Sequence, residues 1–354
     1  MSYVNLRKQI IALANLPRCE EPIISAYLNL EQPIELLVEE FTSWVKVARQ
    51  AYYESPQAHF IKAAERIQAW LLNHLEDGRS AAIFCRSGSP EFFLSLTFQV
   101  PLENSFHADA FPAIFPLVEL RDRFSRFVVV MTNRDSARII ELNLGETSLE
   151  LLAQRPEATE RDGREWTREH YNSNTRERNT RFVSEKVEII ERLMSKRGHN
   201  ALIMVGEAQY INRLKSALPK HLADKVVDQI RTGFSDQRVQ GVLEDAIESY
   251  LKVENDESET AVKRLFRAHR TSHLGIFGIA ATAQALQIGQ VEELIISSTL
   301  GHTDRELLVR LASQHSVPIE TVRNSELLDE QGGVGAILRY APLSYITDPS
   351  GLPT

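Results

Sequence analysis

Residues 155–180 hold the side chains best suited to chemistry with a polyanion. The segment carries Arg155, Arg161, Arg164, Arg168, Arg176 and Arg178 with no lysine, and Trp166, His170, Tyr171, Asn172 and Asn174 stand among them. A guanidinium is a planar fork that pairs with phosphate and stacks on bases, and indole and phenol rings stack on unpaired bases. The residue types therefore nominate Arg161, Arg164, Trp166, Arg168, His170, Tyr171, Asn172, Arg176 and Arg178 as an RNA-contacting set. Glu157, Glu160, Asp162, Glu165, Glu169 and Glu177 are interleaved with the arginines. A solvated segment laced by i,i+4 pairs such as Glu160–Arg164 and Arg161–Glu165 is thus a second reading. A third is hydrolysis of RNA, with His170 as general base and Arg164 or Arg168 stabilising a phosphate. Neither a nucleophile–base pair nor a metal-ligand set accompanies His170 in the sequence, which places that reading well below the first.

Other candidate chemistry is sparse. Two cysteines, Cys19 and Cys85, are too few for a disulfide framework or a Cys-rich metal site, and the apolar run Ala81–Cys85 makes Cys85 a small core residue. His269 and His273 have the spacing of a zinc-binding pair on one helical face but lack an evident third ligand, so capping or surface roles are favoured. No phosphate loop, nucleophile elbow or H-E-x-x-H motif occurs. The expectation is a protein without enzymatic activity, without cofactor and without metal.

Composition and charge narrow the classes further. A net charge of −8 and a pI near 5.8 argue against binding along a nucleic-acid backbone regardless of sequence, while leaving room for one local basic contact. No apolar run of about 18 residues occurs, and the N-terminal residues do not read as a signal peptide. The cytoplasm, with no membrane contact, is the expected location.

These residues have to be positioned by a multi-domain α/β scaffold. Residues 1–123 read as an N-terminal α/β domain, with a strand at 22–28, helices patterned on Ile34–Ala48 and Phe60–Leu75, and a hairpin over Ala81–Phe98. Pro101, Pro112 and Pro116 then suggest an irregular crossing. A middle domain, 124–253, opens with a meander (127–131, 138–142, 148–153), and 155–180 reads as one long polar loop, an uncommon and often functional feature. A helix on Val183–Met194, strands at 201–205 and 226–227 and a helix over 236–252 complete it. Helix–strand alternation across 254–345 predicts a three-layer α/β sandwich, beginning with a separate helix over 256–270, and 346–354 reads as a tail.

Two motifs carry a resemblance. Gly278-Ile-Ala-Ala-Thr-Ala-Gln-Ala-Leu-Gln-Ile-Gly289-Gln-Val291 and Gly332-Gly-Val-Gly-Ala-Ile-Leu-Arg-Tyr340 look like the C-terminal domain of the archaeo-eukaryotic class-1 release factors and Pelota. Gly289 is placed to cap a helix, and Gly332-Gly333 to make a sharp turn. More weakly, the resemblance extends over nearly the whole chain and is strongest to the bacterial branch of that superfamily, which includes ribosome hibernation factors. It implies a three-domain, release-factor-like architecture.

The departures from the family pattern are as informative. Release factors use a Gly-Gly-Gln tripeptide before the long middle-domain helix, whereas 155–180 contains only Gly163. The decoding motif N-I-K-S is missing too, its place being taken by Ala51-Tyr52-Tyr53-Glu54-Ser55-Pro56. The resemblance therefore implies a ribosome-binding factor that fills the A site of idle or stalled ribosomes, in hibernation or rescue, without peptidyl-tRNA hydrolysis. It also implies rRNA contact through 155–180, a translational GTPase such as elongation factor Tu as partner, and a monomer off the ribosome. A protein-interaction module unrelated to the ribosome is the other alternative, since a fold alone does not fix function.

Overall fold

The computed structural model describes residues 3–73, 78–144, 146–154, 168–197, 199–233 and 239–340, and the fold is mixed α/β with three sheets. The chain forms two compact units, one of residues 1–123 with 255–354, the other of 124–254.

In the first unit, β1 (Ile23–Asn29), β2 (Ser80–Arg86), β3 (Phe92–Phe98) and β4 (Ser105–Asp109) form an antiparallel sheet ordered β3-β2-β1-β4. Alternate residues Ile24, Ala26 and Leu28 face the helices α2 (Ile34–Ala48) and α3 (Glu54–Asn73), and Phe41, Phe60 and Ile67 close that core. Cys85 belongs to it, and burial pushes its thiol up to about 11, so it is a packing residue.

The same unit holds a second sheet, of β10 (Gly275–Phe277), β11 (Val291–Ser297), β12 (Ile319–Val322) and β13 (Val334–Leu338), ordered β10-β13-β11-β12. Ala261, Val262 and Leu265 of α8 (Val239–Thr271) cover the face that carries Ile295, Val322 and Ile337. Helix α9 (Ile279–Gln287) packs against β10, β11 and β13, and α10 (His302–Gln314) packs against α9. The left-handed Gly289 (φ 71°) ends α9 as the sequence suggests: its N–H bonds to Leu286 O at 3.0 Å, and that of Gln290 to Ala285 O at 3.0 Å.

Residues 101–123 are more regular than the prolines suggest. They contain β4 and helix α4 (Phe115–Arg123), and the chain opens with α1 (Tyr3–Ala14). These elements depend on distant partners. Tyr27 Oη donates to Ala113 O at 2.6 Å, and Ala113 N–H donates to Ser25 Oγ at 3.0 Å. Glu306 of α10 accepts the N–H groups of Ile114 (2.7 Å) and Phe115 (3.1 Å) and so caps α4 from across the unit. His107 of β4 stacks on His302 at 4.2 Å, and burial holds its pKa down to about 4. Such contacts leave no local trace in sequence.

In the second unit the sheet order is β7-β6-β5-β8-β9, built from β5 (Phe127–Thr132), β6 (Ser136–Asn143), β7 (Glu146–Gln154), β8 (Ala201–Gly206) and β9 (Val226–Arg231). Strands β5, β8 and β9 are parallel, whereas β6 and β7 form an antiparallel meander. Val128, Val130, Leu202 and Met204 face α5 (Arg168–Arg197) and α6 (Ala208–Ala217); Val129, Met131, Ile203 and Val205 face Val242, Ala246 and Tyr250 of α8.

Two sequence expectations are corrected here. Helix α5 is 30 residues long and starts at Arg168, so 168–180 is helix and not loop. The lack of aliphatic residues there concealed it, because an apolar stripe reports burial rather than helicity. The helices expected at 236–252 and 256–270 are one helix, α8, of 33 residues. The polar run Glu254-Asn255-Asp256-Glu257 contains neither Gly nor Pro, so nothing in it breaks the backbone ladder.

Because burial raises the Glu306 carboxyl to about 7, the stability this group contributes is complete below pH 4.5 and is lost as pH rises through 7. Glu306→Ala is expected to destabilise the first unit by about 1–3 kcal/mol at pH 5, measured by chemical denaturation. Glu306→Gln should retain most of that stability and lose the pH dependence between 4.5 and 7. An alanine variant as stable as the wild type would refute the cap.

Candidate functional site at the N-terminal half of helix α5

The register of the second unit fixes where the arginine-bearing segment begins and ends. Thr132, the last residue of β5, pairs with Ala137, and the neighbouring Ser136 pairs with Gln154, the last residue of β7. β7 therefore leaves the sheet at the edge where β5 and β8 end. Helix α5 is anchored at that same edge: Phe182 packs against Ala137, and Lys186 Nζ donates to Thr132 Oγ1 at 2.7 Å. From Phe182 the apolar seam Val183, Val187, Ile190 and Met194 runs down the sheet. In the opposite direction, from Phe182 back to Arg168, lies about 21 Å of helix at about 1.5 Å per residue. Its residues Thr180 and Arg181 are exposed. The end of β7 and the anchor of α5 thus belong to one edge of one sheet, with the first turns of α5 running on past it.

The proposed contact residues divide accordingly. Arg168, His170, Tyr171, Asn172, Arg176 and Arg178 lie on the first three turns of α5. Arg161, Arg164 and Trp166 lie outside the described residues, as do the proposed pairs Glu160–Arg164 and Arg161–Glu165.

Sequence reasoning missed the anchor. Lys186 is buried at 3% exposure, its ammonium stands 3.8 Å from the Phe182 ring centroid, and burial followed by the Arg213 charge lowers its pKa to about 8. A lysine among polar helix residues gives no sign of burial; the available signal was its i,i+4 spacing from Phe182. At the other end of the strands, buried His199 bonds to buried Glu141 through Nε2 at 2.7 Å, and Lys225 Nζ donates to His199 O at 2.7 Å, which secures the turn from α5 into β8.

Of the pair His269 and His273, the first has a structural role. His269 Nδ1 lies 2.7 Å from Gly275 O, and its ring meets Phe277 edge-on at 5.1 Å, so His269 ties the end of α8 to β10. Among the described residues, no helix is long and apolar enough to cross a membrane.

Residues 112–250, which contain every element of this site, match the family model described as bacterial archaeo-eukaryotic release factor family 10. Over these residues the chain is similar to that family. The motifs that suggest the superfamily from sequence, at 278–291 and 332–340, lie outside the matched region, so the resemblance is supported from a different part of the chain. Solved structures similar to the chain include an archaeal translation termination factor, aRF1 (15% identity, covering 96% of this chain and 99% of that one, TM-score 0.31). They also include Saccharomyces cerevisiae Dom34, a translation termination-like factor (15%, 74% and 81%, TM-score 0.43), and ribosome-bound archaeal Pelota (13%, 96% and 94%, TM-score 0.45). No curated protein matches.

Lys186 with a pKa of about 8 in the fold and 10.5 in the unfolded chain binds fewer protons folded than unfolded between those values. Its contribution to stability is therefore present above pH 10.5 and lost as pH falls through 8. Relative to Lys186→Met, the wild type is expected to gain stability between pH 8 and 10.5, read as the difference in denaturation midpoints. Parallel pH profiles for the two proteins would show that the ammonium is not buried.

Proposed function

We propose that the protein is a ribosome-binding translation factor that occupies the A site of idle or stalled ribosomes, in hibernation or rescue, and does not hydrolyse peptidyl-tRNA. The observation that carries this reading is the anchored α5 within a region that matches a release-factor family. It supports an arginine-bearing connection delivered from one sheet edge, where Arg161, Arg164, Trp166, Arg168, His170, Tyr171, Asn172, Arg176 and Arg178 contact rRNA by phosphate pairing and stacking. The 155–180 segment has one glycine and no Gly-Gly-Gln, which supports occupancy without release. On this reading the protein acts in the cytoplasm, as a monomer when off the ribosome, with residues 1–123, 124–253 and 254–345 as its domains. A translational GTPase such as elongation factor Tu delivers it.

Sedimentation with purified bacterial ribosomes, with and without the GTPase, tests this. The protein should co-sediment, with affinity that falls as salt rises because arginine–phosphate contacts displace counterions. Replacing Arg164, Arg168, Arg176 and Arg178 together by glutamate should weaken binding by about a thousandfold, at roughly 1 kcal/mol per contact. Peptide release from loaded ribosomes should stay at background. Absence from the ribosome fraction with the GTPase supplied, or stimulated release, contradicts the proposal.

A further inference from the structure

The first unit contains a half-open pocket of about 210 Å³ where α1, α4, the end of α10 and the start of β12 meet. Arg7 of α1 and Arg121 of α4 supply two guanidinium groups, Ser313 and Ser316 supply hydroxyls, and buried Ile10 and Val317 supply apolar wall. No carboxylate is among its lining residues, in a chain whose net charge is −8.

The lining is selective in its chemistry. Arg7 and Arg121 line one small volume with no acid among the lining residues, which raises its positive potential. Guanidinium forks and serine hydroxyls can both donate to oxyanion oxygens, the forks in bidentate geometry. The apolar wall rewards a ligand with a hydrophobic body over a bare ion. The volume equals that of about seven waters, which limits the body to roughly one ring.

We propose that this pocket binds a small ligand with one oxyanion head, phosphate or carboxylate, and a compact apolar body. Its lining comes from residues 7–121 and 313–319, two stretches far apart in sequence. They are already joined where Asp122 accepts from Thr321 N–H at 2.6 Å and where Gln314 Nε2 donates to Ala14 O at 2.8 Å. A bound ligand adds a third tie between them and stabilises the unit by linkage. This site is separate from α5 and does not depend on the ribosome-binding reading.

Titration calorimetry of the full chain with phenyl phosphate, benzoate and benzyl alcohol tests the site. At least one of the two anions should bind saturably at one site and raise the melting midpoint, and the neutral alcohol should not. The phosphate and carboxylate arms identify which head the pocket takes. Arg7→Gln should weaken binding by about tenfold, as loss of one charge-assisted contact, and Ile11→Trp, which fills the pocket, should abolish it. Each variant's melting midpoint without ligand reports its folding. Failure of both anions to bind the wild type, equal binding of benzyl alcohol, or anion binding unchanged in both variants overturns the proposal.

Discussion

The anchoring of α5 on the strand ends of the middle sheet is the constraint on which the account of this protein rests. Phe182 against Ala137 and Lys186 against Thr132 fix the helix at the edge where β5 ends and β7 departs. A buried ammonium costs free energy unless it is satisfied. Here it is held by one hydroxyl and one aromatic face, so its position is specified narrowly. Slippage of α5 by a residue would carry the lysine off Thr132 and break the apolar seam from Val183 to Met194. The register of α5 on the sheet is thereby set.

The sheet beneath this anchor suits the task. Strands β5 and β8 are apolar on both faces, covered by α5 and α6 on one side and by the first half of α8 on the other. A strand buried on both faces is rigid and long-lived relative to edge elements. Gly206 at the end of β8 allows the closest approach: a Cβ there would stand 2.1 Å from Thr132 O, so only glycine lets β8 end beside the residue that receives Lys186. Helix, strand end and glycine converge on the same few ångströms.

Much of the scaffold was legible in the sequence because its signals are local. The β-branched run Val128-Val129-Val130, the helical spacing of Ile34 to Ala48, and the glycines at 289 and 332–333 each report a backbone state through neighbours in the chain. What was not legible depends on distant partners. Helix α4 is capped by Glu306, nearly two hundred residues away, and β4 exists by pairing with β1. The candidate site was half legible. Residue types at 155–180 marked it, but the polar composition concealed that α5 begins at Arg168, and the i,i+4 spacing from Phe182 was the one sign in the sequence that Lys186 is buried.

The central claim is that α5 delivers its polar N-terminal connection to ribosomal RNA. A photo-crosslinking amino acid placed at position 166, with the protein bound to purified ribosomes, tests it most directly. The account predicts crosslinks to ribosomal RNA, which weaken as salt is raised. Crosslinks confined to ribosomal proteins, or none from ribosomes that demonstrably hold the protein, would contradict it.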